Sequence, residues 1–128
     1  MIRAQYHFRP SPDGLLAWDV RRLIELSSDL AVEHVEIAGI RELDENHWHA
    51  YEGQTPTCRS IVEHIMLIDQ ADLNFPIILD ADGRVMDGMH RVCKAIKAER
   101  ATILAVQFET TPSPDFVGVG PENLPYVA

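Results

Sequence analysis

Phe75-Pro76-Ile77-Ile78-Leu79-Asp80-Ala81-Asp82-Gly83-Arg84-Val85-Met86-Asp87-Gly88-Met89-His90-Arg91-Val92-Cys93-Lys94-Ala95-Ile96 is the stretch that decides the fold. Residues 75–79 are an apolar run of strand length, Asp82-Gly83 is a hairpin-type turn, and 84–86 return as a second strand. From Gly88 onward, Met89, Val92, Cys93 and Ile96 recur at i, i+3, i+4 and i+7, which predicts an amphipathic helix ending near Ala98. Residues 102–108 then read as a strong final strand.

Upstream, 5–8 alternate as a short strand and 9–14 are a turn by composition. Residues 15–28 read as one helix, with Leu16, Val20, Leu23, Ile24 and Leu26 as its apolar stripe. A short strand is expected at 35–37, then a turn with a short helix over 39–48. Residues 46–55 are polar and aromatic without a period and read as a loop. Thr55-Pro56 reads as a helix start, with Ser60-x-x-Glu63 as a competing capping box. That helix runs to about Asp69 and is expected to bury Ile61, Val62, Ile65, Met66 and Ile68. The pattern predicts an α+β fold: one compact domain over 1–110, a small mixed sheet with packed helices, and a Pro-rich extended tail over 111–128.

Composition narrows the function. Hydrophobic residues make up 46% and charged residues 24%, as in ordinary soluble domains. The net charge of −9 argues against nucleic acid, whose binding draws on clustered Lys and Arg. No apolar run reaches membrane-helix length, and the N-terminus has no signal-peptide core, so the expectation is a cytoplasmic protein without membrane contact. Cys58 and Cys93 form no CxxC and read as two buried reduced thiols. The basic residues cluster instead: Arg84, Arg91, Lys94, Lys97 and Arg100 share one segment, which suggests a small anion.

The chemistry concentrates at the start of the 88–98 helix. Gly88, Met89, His90 and Arg91 place backbone N–H groups, the positive helix end and cationic side chains together, which describes a phosphate site. Lys94 lies on the same face. Thr57, Ser60 and His64 recur at i, i+3 and i+7 on the preceding helix and would form an opposite wall, with Arg59 nearby. Asp87, Glu45 and Glu52 are the candidate carboxylates for orienting an acceptor or acting as base, and the choice between Glu45 and Glu52 stays open. His47-x-His49 lacks a third fixed ligand, so no metal site is expected there. Trp48 and Tyr51 read as core, with a base-stacking surface as the other possibility.

With those residues in place, the chain resembles the ParB/sulfiredoxin-like superfamily over 35–108. The resemblance rests on Pro76-Ile77-Ile78-Leu79, the Asp82-Gly83 turn, Asp87-Gly88-Met89-His90-Arg91 and Ala95. ParB N-terminal domains have Gly-Glu-Arg-Arg at the helix start, sulfiredoxins have Gly-Gly-Cys-His-Arg, and small free-serine kinases have an Asp-Gly-x-His-Arg, the form nearest to this chain. Ser60 and His64 sit where sulfiredoxins carry two phosphate-contacting hydroxyls. The resemblance implies a nucleoside di- or triphosphate ligand with Mg²⁺. The implied activity is phosphotransfer to a small hydroxyl compound or slow NTP hydrolysis, with His90, Arg91 and Lys94 stabilising the transferred group.

The departures matter equally. Met89 stands where sulfiredoxins need a cysteine, and a thioether forms no thiolate, so sulfinic acid reduction is not expected. Cys93 lies on the buried stripe and is no substitute. Partition proteins follow this fold with a helix-turn-helix domain that 1–128 do not contain, and no GxxxxGK[ST] loop is present. The alternative reading is a non-catalytic nucleotide- or anion-sensing module that passes its state to a protein partner, with a homodimer left open.

Overall fold

The computed structural model describes residues 5–49 and 55–126. Its centre is the hairpin of β4 (Ile77–Leu79) and β5 (Val85–Asp87), paired antiparallel. Asp80 shapes the turn. Its Oδ1 accepts from the N–H groups of Asp82 and Arg84, both at 2.8 Å, and Gly83 takes the left-handed φ of 82° that closes it. From β5 the chain enters α3 (Met89–Lys97) and crosses to β6 (Thr102–Gln107), which lies parallel to β4. β3 (Glu33–Glu36) adds antiparallel to the far side of β6, giving the order β3-β6-β4-β5.

This sheet is covered on both faces, which is why 75–79 shows no alternation. Ile77, Leu79, Val85, Ile103 and Ala105 pack with Met89, Val92 and Ala95 of α3 and with Ile37 and Ile40. Ile78, Met86 and Val106 point the other way, onto Trp18, Leu23 and Phe108. Ile37 opens the first of two short 3-10 turns, Ile37–Gly39 and Arg41–Asp44, and Ile40 is the residue between them. Glu42 ties the second of these to β5: its buried Oε2 accepts from Val85 N–H at 2.8 Å.

A second sheet combines β1 (Tyr6–Arg9), β2 (Leu16–Asp19) and β7 (Phe116–Val117) in the order β1-β2-β7. The expected helix over 15–28 is therefore divided. Residues Leu16–Asp19 are a strand, and only α1 (Val20–Ser27) is helical. Asp19 makes the division, because its Oδ1 accepts from Arg21 N–H at 2.9 Å and caps the helix there. The tail is tied into the fold as well: Trp18 Nε1–H donates to Pro112 O at 2.8 Å, β7 pairs with β2, and Leu124 is buried. The molecule is one α+β domain with two small sheets, where one had been expected. Among the described residues, no helix is long and apolar enough to cross a membrane.

α2 (Cys58–Gln70) departs most from its expected burial. Thr57, and neither Thr55 nor Ser60, is the N-cap, and it forms a reciprocal capping box with Ser60. Ile68 is buried, but Ile61, Val62, Ile65 and Met66 face outward. Only Ser60, His64 and Ile68 of this helix are drawn out of water, and His64 meets His90 of α3, so the apolar stripe points away from the domain; Cys58, expected to be buried, is exposed as well.

Asp80 supports both sheets at once. Its Oδ2 accepts from Arg9 of β1 at 2.5 Å while Oδ1 holds the β4–β5 turn. Burial alone would raise its pKa. The Arg84 N–H, the Arg9 guanidinium and the Asp82 N–H outweigh that and hold it below the usual carboxylate value. Asp80→Ala leaves Arg9 and two turn N–H groups without their acceptor, and should cost about 3 kcal/mol or more in urea unfolding. A cost below about 1 kcal/mol would show that the link carries no stability.

Candidate functional site

The turn from β5 into α3 is made by Gly88, whose φ is 106°. A Cβ there would lie 2.6 Å from Ile77 Cγ2, so the fold itself requires glycine at this position. Gly88 also brings no side-chain cap to α3. The first-turn N–H groups of Met89, His90 and Arg91 have no helical carbonyl to bond. This helix end borders a cavity of about 220 Å³ lined by residues including His7, His47, Trp48, Gly88 and His90.

Beside it lies a cluster of rings. His64 Nδ1 and His90 Nε2 are 2.9 Å apart and share one hydrogen bond. Trp48 stacks on both, with centroid distances of 4.1 Å to His64 and 4.7 Å to His90 and interplanar angles of 14° and 15°. His49 meets His64 edge-on at 5.5 Å, and His47 stacks on His7 at 6.4 Å. All histidines except His34 belong to this run of contacts.

Four of these imidazoles, His7, His47, His64 and His90, are biased toward the neutral form. Burial, then the charges of His64 and His47, lower the pKa of His90 to about 4, against an opposing pull from Asp87. His64 is lowered by burial and by His49. His7 falls to about 3 through burial and the neighbouring Arg9, whose Nε–H donates to His7 Nε2 at 2.8 Å. The His64–His90 bond requires at least one neutral ring, since one of the two nitrogens must accept.

The cations expected to hold phosphate have partners within the domain. Arg91 Nη1 donates to the carbonyls of Phe75 at 3.1 Å and Pro76 at 2.5 Å, and Nη2 to Asp87 Oδ2 at 2.7 Å. Lys94 Nζ donates to the carbonyls of Asp69 and Ala71 and so caps the end of α2. Lys97 pairs with Asp69 at 2.6 Å. Among the carboxylates, Asp87 is held by Arg91. Glu45 places both oxygens on Arg84, at 3.0 and 2.6 Å, and this bond lowers its pKa. Glu52 and Tyr51 lie outside the described residues.

The structure thus brings together Gly88, Met89, His90 and His64, with Met89 buried beneath the helix start. Thr57 and Ser60 engage each other in the cap of α2. Sequence reasoning set Trp48 aside as core and did not connect His7, His47 and His49 to the site. The unperiodic Asn46-His47-Trp48-His49 run was the available signal. Among the described residues, no group of three or more His, Cys, Asp or Glu is arranged to hold a metal ion.

The histidines impose a pH dependence whose sign follows from their depressed pKa values. Unfolding returns His7 and His90 to about 6.5, so the unfolded chain binds more protons below that pH. Stability is complete above about pH 6.5 and is lost as pH falls toward 4. Urea midpoints at pH 7.5, 6.0 and 5.0 should fall in that order, and the decline should shrink in His90→Asn. A flat profile between pH 7.5 and 5.0 would contradict neutral buried imidazoles.

No family model, no curated protein and no solved structure matches the chain.

Proposed function

We propose that the chain binds the phosphate groups of a nucleoside di- or triphosphate at the head of α3. The supporting observation is the uncapped first turn of α3 beside the His64–His90 pair, bordering a cavity. A phosphate would accept hydrogen bonds from the N–H groups of Met89, His90 and Arg91, where the helix dipole favours negative charge. His90 adds a ring donor once its shared bond to His64 is exchanged for one to phosphate. Trp48 fixes the plane of both imidazoles and limits their rotation. The nucleotide character of the ligand rests on the resemblance of 87–91 to Asp-Gly-x-His-Arg.

Binding without turnover is the favoured form of this reading. Phosphoryl transfer needs a carboxylate to orient the acceptor, and the two candidates among the described residues, Asp87 and Glu45, are both committed to arginines. Mg²⁺ would then travel on the nucleotide's own phosphates. A sensing module that reports nucleotide to a partner fits this arrangement better than a kinase does.

A phosphate next to His90 raises its pKa, so binding takes up a proton. Affinity should rise as pH falls from 8 to 6, by at most about tenfold per pH unit for each proton taken up. Calorimetric titration with ATP, ADP and CTP, with and without Mg²⁺, tests this directly. Wild-type protein should bind at least one of them, His90→Gln and His64→Asn should weaken binding about tenfold or more, and no nucleotide should be consumed. Absence of binding, or equal binding by both variants, would refute the assignment. Turnover that depends on His90 would favour the phosphotransferase.

A further inference from the structure

We infer that the outward face of α2 is the contact surface between two copies of this chain, packed antiparallel about a two-fold axis. Ile61, Val62, Ile65, Met66 and Leu67 are each between 45% and 55% exposed on this 13-residue helix. Ile61, Val62, Ile65 and Met66 recur at i, i+1, i+4 and i+5, a continuous stripe along one side of a helix. A chain of net charge −9 gains nothing in water from such a stripe. Nothing in the described domain covers it.

The charges beside the stripe indicate what does. Arg59 lies near the N-terminal end of the stripe and has no hydrogen bond or ion pair among the described residues. Asp69 lies near the other end, about 15 Å further along the helix, and is held from one side only, by Lys97. The midpoint between Arg59 and Asp69 falls at His64, and the stripe itself is centred between Glu63 and His64. A two-fold axis at that centre brings Arg59 of each copy level with Asp69 of the other. Val62 then meets Ile65, and Ile61 meets Met66, each contact occurring twice, as an isologous interface demands. Antiparallel packing also opposes the two helix dipoles favourably. A parallel arrangement would instead set Arg59 against Arg59 and Asp69 against Asp69.

The geometry excludes a disulfide origin for the dimer. In this register the two Cys58 residues are displaced by about 16 Å along the helices, beyond the reach of an S–S bond. A single helix pair is smaller than a standard interface, so a weak, concentration-dependent association is expected. The inference does not depend on nucleotide binding, since the stripe faces away from His64 and His90.

Sedimentation of the 128-residue chain across about 1–100 µM, a range chosen to bracket micromolar association, tests it. The mass should rise to about twice 14.4 kDa and be unchanged by reductant. Val62→Glu and Ile65→Glu, both at exposed positions, should give monomers with unaltered circular dichroism. Arg59→Glu should weaken association several-fold, and Arg59→Glu combined with Asp69→Arg should recover it. A monomer at every concentration, a dimer lost on adding reductant, or a dimer that Val62→Glu leaves intact would each overturn the proposal.

Discussion

The structure depends on how α3 is attached to β4, the first strand of the hairpin. Gly88 turns through a left-handed conformation against Ile77, where no other residue fits. Arg91 then reaches back to the carbonyls of Phe75 and Pro76 and to the Asp87 carboxylate. Three carbonyl or carboxylate groups at the start of β4 and the end of β5 thus share one guanidinium. That attachment fixes the angle at which α3 crosses the sheet. It therefore sets the packing of Met89, Val92 and Ala95 on Ile77, Leu79 and Ile103. Burial of that cluster supplies the main driving force for the domain, but the attachment selects the one arrangement in which the cluster closes.

The same attachment determines the chemistry left at the site. A guanidinium bonded to two carbonyls and a carboxylate has little capacity for an incoming anion, and Lys94 and Lys97 are likewise occupied at the end of α2. What remains at the head of α3 is a set of backbone N–H groups and neutral imidazoles. Such a site offers backbone donors and the positive helix end in place of free cationic side chains, and its imidazoles gain charge only by taking up protons.

The region 75–108 was legible because its signals agreed at every level. The apolar run, Asp82-Gly83 and the 3.6-residue period of 89–96 each indicated the same element. The strand over Leu16–Asp19 was not legible, because Leu16 and Val20 also satisfy a helical stripe, and the deciding cap at Asp19 competes with its reading as a solvent-facing helical residue. The burial of α2 failed for a different reason. An amphipathic pattern states that one face avoids water without saying whether the covering surface belongs to the same chain. The carbonyl partners of Arg91 and Lys94 were invisible in the sequence, since backbone carbonyls have no residue signature. Of the residues brought together there, Gly88 and His90 were singled out by their types at a helix start and His64 by its spacing from Thr57 and Ser60. Trp48 and His7 are brought there by tertiary packing.

The central claim is that phosphate is received by the backbone at the head of α3. Amide ¹H–¹⁵N chemical shifts during titration with ATP test it most directly. The account predicts that the largest changes fall on Met89, His90 and Arg91, accompanied by the side-chain nitrogens of His64 and His90. Saturable changes confined to other parts of the chain, with these amides unmoved, would contradict it.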